Sequence, residues 1–118
     1  MTEAPSTDCL FCKIASGQVP ATIVERTGTT VAFRDVSPVS PTHILVIPTR
    51  HVADLDEALA VDPGIVTDVL GRASAIAGAE GLSGGYRVVI NTGDDGGQSV
   101  HHLHAHVLGG RHHTWPPG

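Results

Sequence analysis

Between His102 and Leu108 the chain reads His102-Leu103-His104-Ala105-His106-Val107-Leu108, with histidine and apolar side chains alternating at a period of two. On an extended strand that period sets all three imidazoles on one face and Leu103, Ala105 and Val107 on the other. Upstream, the period changes. Asp62-Pro63 pairs a capping residue with a proline at the first turn, and Ile65, Val66, Val69, Leu70, Ala73, Ile76 and Ala77 follow at spacings of three, four and one. This predicts a long amphipathic helix ended by Gly81. A short N-terminal helix is predicted over residues 9–16, capped by Asp8 and closed by Gly17. Short strands are predicted over 23–25 and 31–33, around the turn-like Thr27-Gly28-Thr29. Residues 43–47 read as a well-buried strand stopped by Pro48, and residues 86–91 as another. The glycine-rich loop 92–97 then leads into the histidine strand. No repeat or linker interrupts the pattern. The sum is an α+β domain: a five-stranded antiparallel sheet with a long helix and a short N-terminal helix packed on it.

Length and charge narrow the function classes. A chain of 118 residues is one domain by size. We expect residues 1–7 to form a flexible tail and residues 8–118 a single domain. The opening residues have neither the basic region nor the apolar core of a signal peptide. No apolar run approaches the ~20 residues needed to cross a bilayer. A net charge of −5 opposes the coating of long nucleic acid. Two cysteines three positions apart are too few for a disulfide framework and favour the cytoplasm.

The histidine row is the candidate chemistry. Imidazole can attack, accept a proton and donate one near neutral pH. Three on a half-buried strand are costly as packing alone. At ~3.3 Å per residue, His102 and His104 lie about 6–7 Å apart and His102 and His106 about 13 Å, so they divide labour. The middle ring, His104, is the nucleophile this spacing favours, provided its other nitrogen donates to a backbone carbonyl and fixes the tautomer. The loop before the row is a candidate anion cradle: Gly96 and Gly97 permit close backbone approach, Ser99 adds an N–H and a hydroxyl, and Asn91 adds an amide.

The row matches, position for position, the His-φ-His-φ-His-φ-φ signature of the histidine-triad (HIT) family, with φ apolar. The resemblance extends to Phe11-Cys12-Lys13-Ile14, Phe33-Arg34-Asp35-Val36-Ser37-Pro38, residues 41–48, Gly85-Tyr86-Arg87 and Gly96-Gly97-Gln98-Ser99-Val100. The ending Leu108-Gly109-Gly110-Arg111, then Trp115-Pro116-Pro117-Gly118, resembles the Hint branch, the purine nucleoside phosphoramidases. The resemblance implies a HIT-like fold and cleavage of the P–N bond of nucleoside 5′-phosphoramidates, of the AMP-lysine type, through a nucleotidyl-histidine. It gives His104 the attack, and His106 the phosphate contact and the proton for the leaving amine. Asp35 would bind the ribose with Val36 beside it; Asn91, Gly97, Gln98 and Ser99 would hold phosphate and sugar. Phe11, Ile14, Val19 and Phe33 would line the base slot. His43 would support the site through a hydrogen bond. The resemblance also implies a homodimer, with Trp115 reaching toward the partner's site. His101 and Thr114 depart from residues common in relatives, and His112 and His113 read as surface histidines. Three other functions stay open: a dinucleoside polyphosphate hydrolase, a nucleotide-binding adaptor whose catalysis is incidental, and a small zinc protein that uses its histidines only as ligands.

The chemistry implied needs no cofactor, but Cys9-Leu10-Phe11-Cys12 has the spacing that chelates zinc. Two more ligands are then required. His51 and His102 are the candidates, since HIT proteins carrying such cysteines resemble one another in pairing them with histidines at these positions. A zinc so held would be structural, and His102 counts both in the catalytic row and in this set. A redox pair and two inert core thiols are the alternatives; the βαβ setting of a thioredoxin-type motif is absent.

Overall fold

A computed structural model describes residues 8–118; the tail expected over 1–7 lies outside the described residues. The chain forms a five-stranded antiparallel sheet in the order β1-β2-β3-β5-β4, with three helices among the described residues. The strands are β1 (Ile23–Arg26), β2 (Thr30–Arg34), β3 (Thr42–Pro48), β4 (Arg87–Val89) and β5 (Ala105–Gly109). The helices are α1 (Leu10–Ser16), α2 (Leu55–Val61) and α3 (Pro63–Ala79). None of them is long and apolar enough to cross a membrane.

Strand alternation sorts the core into two faces. Ala32, Ile44, Val46, Ala105 and Val107 point to one side and pack on Val69, Ala73, Ile76 and Ala77 of α3. Val31, Phe33, Leu45 and Ile47 point to the other and meet Phe11 and Ile14 of α1. α3 starts as its sequence predicts: Asp62 Oδ1 accepts from the Gly64 N–H at 3.0 Å, with Pro63 in the first turn. Two bidentate ion pairs fasten it to the sheet, Arg72 to Glu25 and Arg34 to Glu80.

Four expectations need correction. The cap of α1 is Cys9 rather than Asp8: the Cys9 sulfur accepts from the Cys12 N–H at 3.3 Å. The closing residue is Gly17 as expected, at φ 84°. Helix α2 was not anticipated, because only Ala58 of its seven residues is buried and the apolar period is faint. The strand expected over 86–91 is confined to Arg87–Val89. Last, β5 begins at Ala105, so His102 and His104 precede the strand. The Leu103 N–H donates to the Val52 carbonyl at 2.8 Å, which draws this segment off the β3 ladder and onto the chain after β3.

Candidate active site

His106 projects from β5 directly opposite Leu45 of β3, on the face away from α3. His43, two residues before Leu45, shares that face. Its ring completes a chain of hydrogen bonds. The Val39 N–H donates to His43 Nδ1 at 3.1 Å, which places the His43 proton on Nε2. That nitrogen lies 2.9 Å from His106 Nδ1 and 3.4 Å from an Asp35 carboxylate oxygen. His106 Nδ1 therefore accepts, and its Nε2 carries the remaining proton.

His104 is held differently. Its Nδ1–H donates to the main-chain oxygen of His102 at 2.7 Å, leaving the Nε2 lone pair unshared. The rings of His104 and His106 are 5.0 Å apart, and Phe11 meets His104 edge-on, also at 5.0 Å. Burial favours neutral imidazole at His104 and His106. It lowers His104 below the ordinary histidine range against the opposing pull of the His102 carbonyl and Asp35. It pushes His106 down to about 4, helped by its neighbours His104 and His43.

Both rings open on a cavity of about 270 Å³. Its wall includes Phe11, Ile14, Val19, Phe33, Asp35, Val36 and Ser99 from the expected set. Leu45, Pro20, Ala21, Val100, Leu10 and Arg34 also line it and were not singled out. Leu45 was accessible to reasoning, since it falls in phase with His43 on an alternating strand. Asp35 divides its carboxylate: one oxygen accepts from the Ser37 N–H at 2.8 Å, the other faces His43.

Several expected residues stand elsewhere. Asn91, His43 and Trp115 are outside the cavity wall, and Trp115 is largely exposed. Gly97 and Gln98 belong to the glycine-rich loop but turn inward. The Gly97 N–H donates to Asp94 O and the Gln98 N–H to Gly93 O, both at 3.0 Å. The buried Gln98 side chain accepts from the Gly93 N–H and donates to the Ala53 and Val100 carbonyls. It braces the loop, with each amide atom already committed. Gly96 is required for the same closure: a Cβ there would lie 2.3 Å from the Thr92 carbonyl oxygen. The Gly97 N–H is thus committed within the turn, and Ser99 is the residue after it that reaches the cavity.

His102 does not face the cavity. It is fully buried, and its Nε2–H donates to the Pro48 carbonyl at 2.9 Å. Its Nδ1 consequently presents a lone pair to Cys9 Sγ at 3.3 Å, Cys12 Sγ at 3.5 Å and His51 Nδ1 at 3.2 Å. Cys12 Sγ lies 3.3 Å from His51 Nδ1. All four donor atoms fall within 4.8 Å of one another. Tetrahedral zinc, with bonds of about 2.0–2.3 Å, sets neighbouring donors roughly 3.3–3.8 Å apart, so the donor set and its spacing suit that ion.

An antiparallel five-stranded sheet bearing buried histidines beside an apolar cavity defines the class, an α+β domain with the HIT fold. The chain belongs to the HIT domain family, whose pattern matches residues 16–113. A HIT family hydrolase from Legionella pneumophila superposes with a TM-score of 0.91 at 49% identity, covering 94% of this chain and 100% of that one. For a histidine triad nucleotide-binding protein from Candida albicans the values are 0.79 and 29%, over 92% and 83%. An uncharacterised HIT-like protein from Synechococcus elongatus is 51% identical over 113 residues, 96% of this chain and 99% of that protein.

Proposed function

We propose that this protein is a hydrolase of purine nucleoside 5′-phosphoramidates that works through a nucleotidyl-histidine. The observation that carries the reading is the fixed tautomer of His104, whose free Nε2 stands beside His106 at the cavity. The Nε2 lone pair bonds to phosphorus as the substrate P–N bond breaks, and the leaving nitrogen takes a proton. His106 is neutral while the cavity is empty. An anionic phosphoryl group beside it favours the uptake of one proton from water by the hydrogen-bonded His43–His106 pair, so substrate binding arms the acid. Water then splits the N–P bond of the intermediate and releases the monophosphate. Phe11, Ile14, Val19 and Phe33 form the slot for the base, Asp35 and Val36 its ribose end, and Ser99 a phosphate contact. The similarity to a HIT family hydrolase and to a histidine triad nucleotide-binding protein supports this reading.

Intact mass after brief mixing with an adenosine 5′-phosphoramidate tests it. The parent chain gains one nucleotide; His104→Ala gains none, and its turnover falls by about a thousandfold or more. Faster turnover of a diadenosine polyphosphate than of the phosphoramidate would reassign the substrate. An adduct that persists in His104→Ala would reassign the nucleophile.

Cys9, Cys12, His51 and His102 would hold one zinc ion, which supplies a cross-link between α1, the chain after β3 and the approach to β5, and no reaction chemistry. Zinc-binding cysteines suit a reducing compartment, the cytoplasm. A homodimer is supported by an apolar surface on α3. Leu70 and Tyr86 are each about two-fifths exposed, and the Tyr86 hydroxyl lies over Ser74, one helical turn from Leu70. The edge strand β4 begins beside that surface.

A further inference from the structure

Two physical links run from the four-donor cluster to the ring of His104. The first is through His102. Its side chain is clamped between the Pro48 carbonyl and the cluster, while its own carbonyl is the acceptor that fixes the His104 tautomer. A small rotation of the His102 backbone would withdraw that acceptor. The second is through α1. Phe11 lies between the two cysteines in sequence, and its ring stands edge-to-face with both His104 and Phe33, at 5.0 and 5.5 Å. A helix of seven residues has little stability of its own. It is seated on the sheet by Phe11 and Ile14, by an Arg26 contact to the Ala15 carbonyl, and by its cysteines at the cluster. Without a metal ion, sulfur and imidazole at these distances are joined only by weak hydrogen bonds.

We propose that Cys9, Cys12 and His51 are positioning residues for His104: acting through the His102 carbonyl and Phe11, occupancy of the cluster sets how fast His104 attacks phosphorus. The inference rests on the zinc and phosphoramidase readings above. It goes beyond them in coupling the two sites, which would otherwise be a passive staple and an independent reaction centre.

The test compares the full-length protein loaded with zinc, stripped by a chelator, and reloaded, together with Cys12→Ser and the milder His51→Ala. Three quantities are read: zinc per chain, the His104 tautomer from long-range ¹H–¹⁵N correlation spectra, and the single-turnover rate of nucleotidylation by an adenosine 5′-phosphoramidate. The expected result is one zinc per chain and a single Nδ1–H tautomer at His104. Stripping gives a mixture of tautomers and a rate at least tenfold lower, with the amide signals of β2 and β3 unmoved. Reloading restores both, and the two variants resemble the stripped protein. A chain that binds zinc but keeps its tautomer and rate on stripping overturns the coupling and leaves the zinc site standing. A chain that takes up no zinc overturns both. Unfolding of the whole sheet on stripping overturns the coupling in favour of a simple requirement for folding. A loaded protein that forms no adduct overturns the activity reading and the rate effect with it, and the link from the cluster to the His104 ring then stands or falls on the tautomer shift, which is read without substrate.

Discussion

His106 sets how the site responds to acid. Burial holds its folded-state pKa near 4, against about 6.5 for a free histidine. Between those values the unfolded chain binds a proton that the native chain excludes, so stability rises with pH across this window. It is complete above about pH 6.5, declines as pH falls toward 4, and the dependence levels off once the native ring protonates. The urea midpoint of the parent protein should follow that course, and His106→Asn should make the decline between pH 6.5 and 4 shallower, the remainder coming from His102 and His104, which burial also lowers. An equally steep decline in the variant would assign the effect to other groups. At this scale the sequence revealed the spacing that singles out His104 and His106. The tautomers were not legible. They depend on the His102 carbonyl and on the Val39 N–H behind His43, and a backbone group acquires a direction only from the fold.

The elements explain why residues matched on sequence can change role. Gln98 was read as a phosphate and sugar contact, yet its amide ties Gly93 to the Ala53 and Val100 carbonyls across the loop. Gln98→Ala leaves buried partners unmatched and should destabilise the protein by about 1–3 kcal/mol, seen as a drop in Tm of several degrees. A weakened nucleotide affinity at unchanged Tm would restore the ligand-contact reading. Helix α2 was legible after all, in Asp54-Leu55-Asp56-Glu57. Asp54 accepts from the Glu57 N–H while Glu57 reaches back to the Ala53 N–H, close to a capping box. Its signal is in the cap, and reading hydrophobic period alone passes over it.

For the whole molecule, the exposed side of α3 is the surface to test. An apolar patch beside an edge strand is the usual mark of self-association. Sedimentation should give twice the chain mass for the parent and a single chain mass for Leu70→Glu. Leu70 points outward in the monomer, so the variant should keep its Tm at low concentration to within about 1 kcal/mol of stability. A parent protein that sediments as one chain would overturn the dimer.

The five strands, the first and last helices and the row of histidines proposed to react came from local pattern. Periods of two and 3.6, a proline in a first turn and a glycine at a helix end are properties of neighbours in the chain. Tertiary structure alone decided which donors remain free. His102, in the same row as its neighbours, was turned from the cavity to the cysteines because its Nε2–H met the Pro48 carbonyl. His104, two residues on, kept an open lone pair because its Nδ1–H met the carbonyl of His102. Identical side chains were given different surroundings by partners as much as 93 residues apart in sequence, and no local period encodes such a meeting.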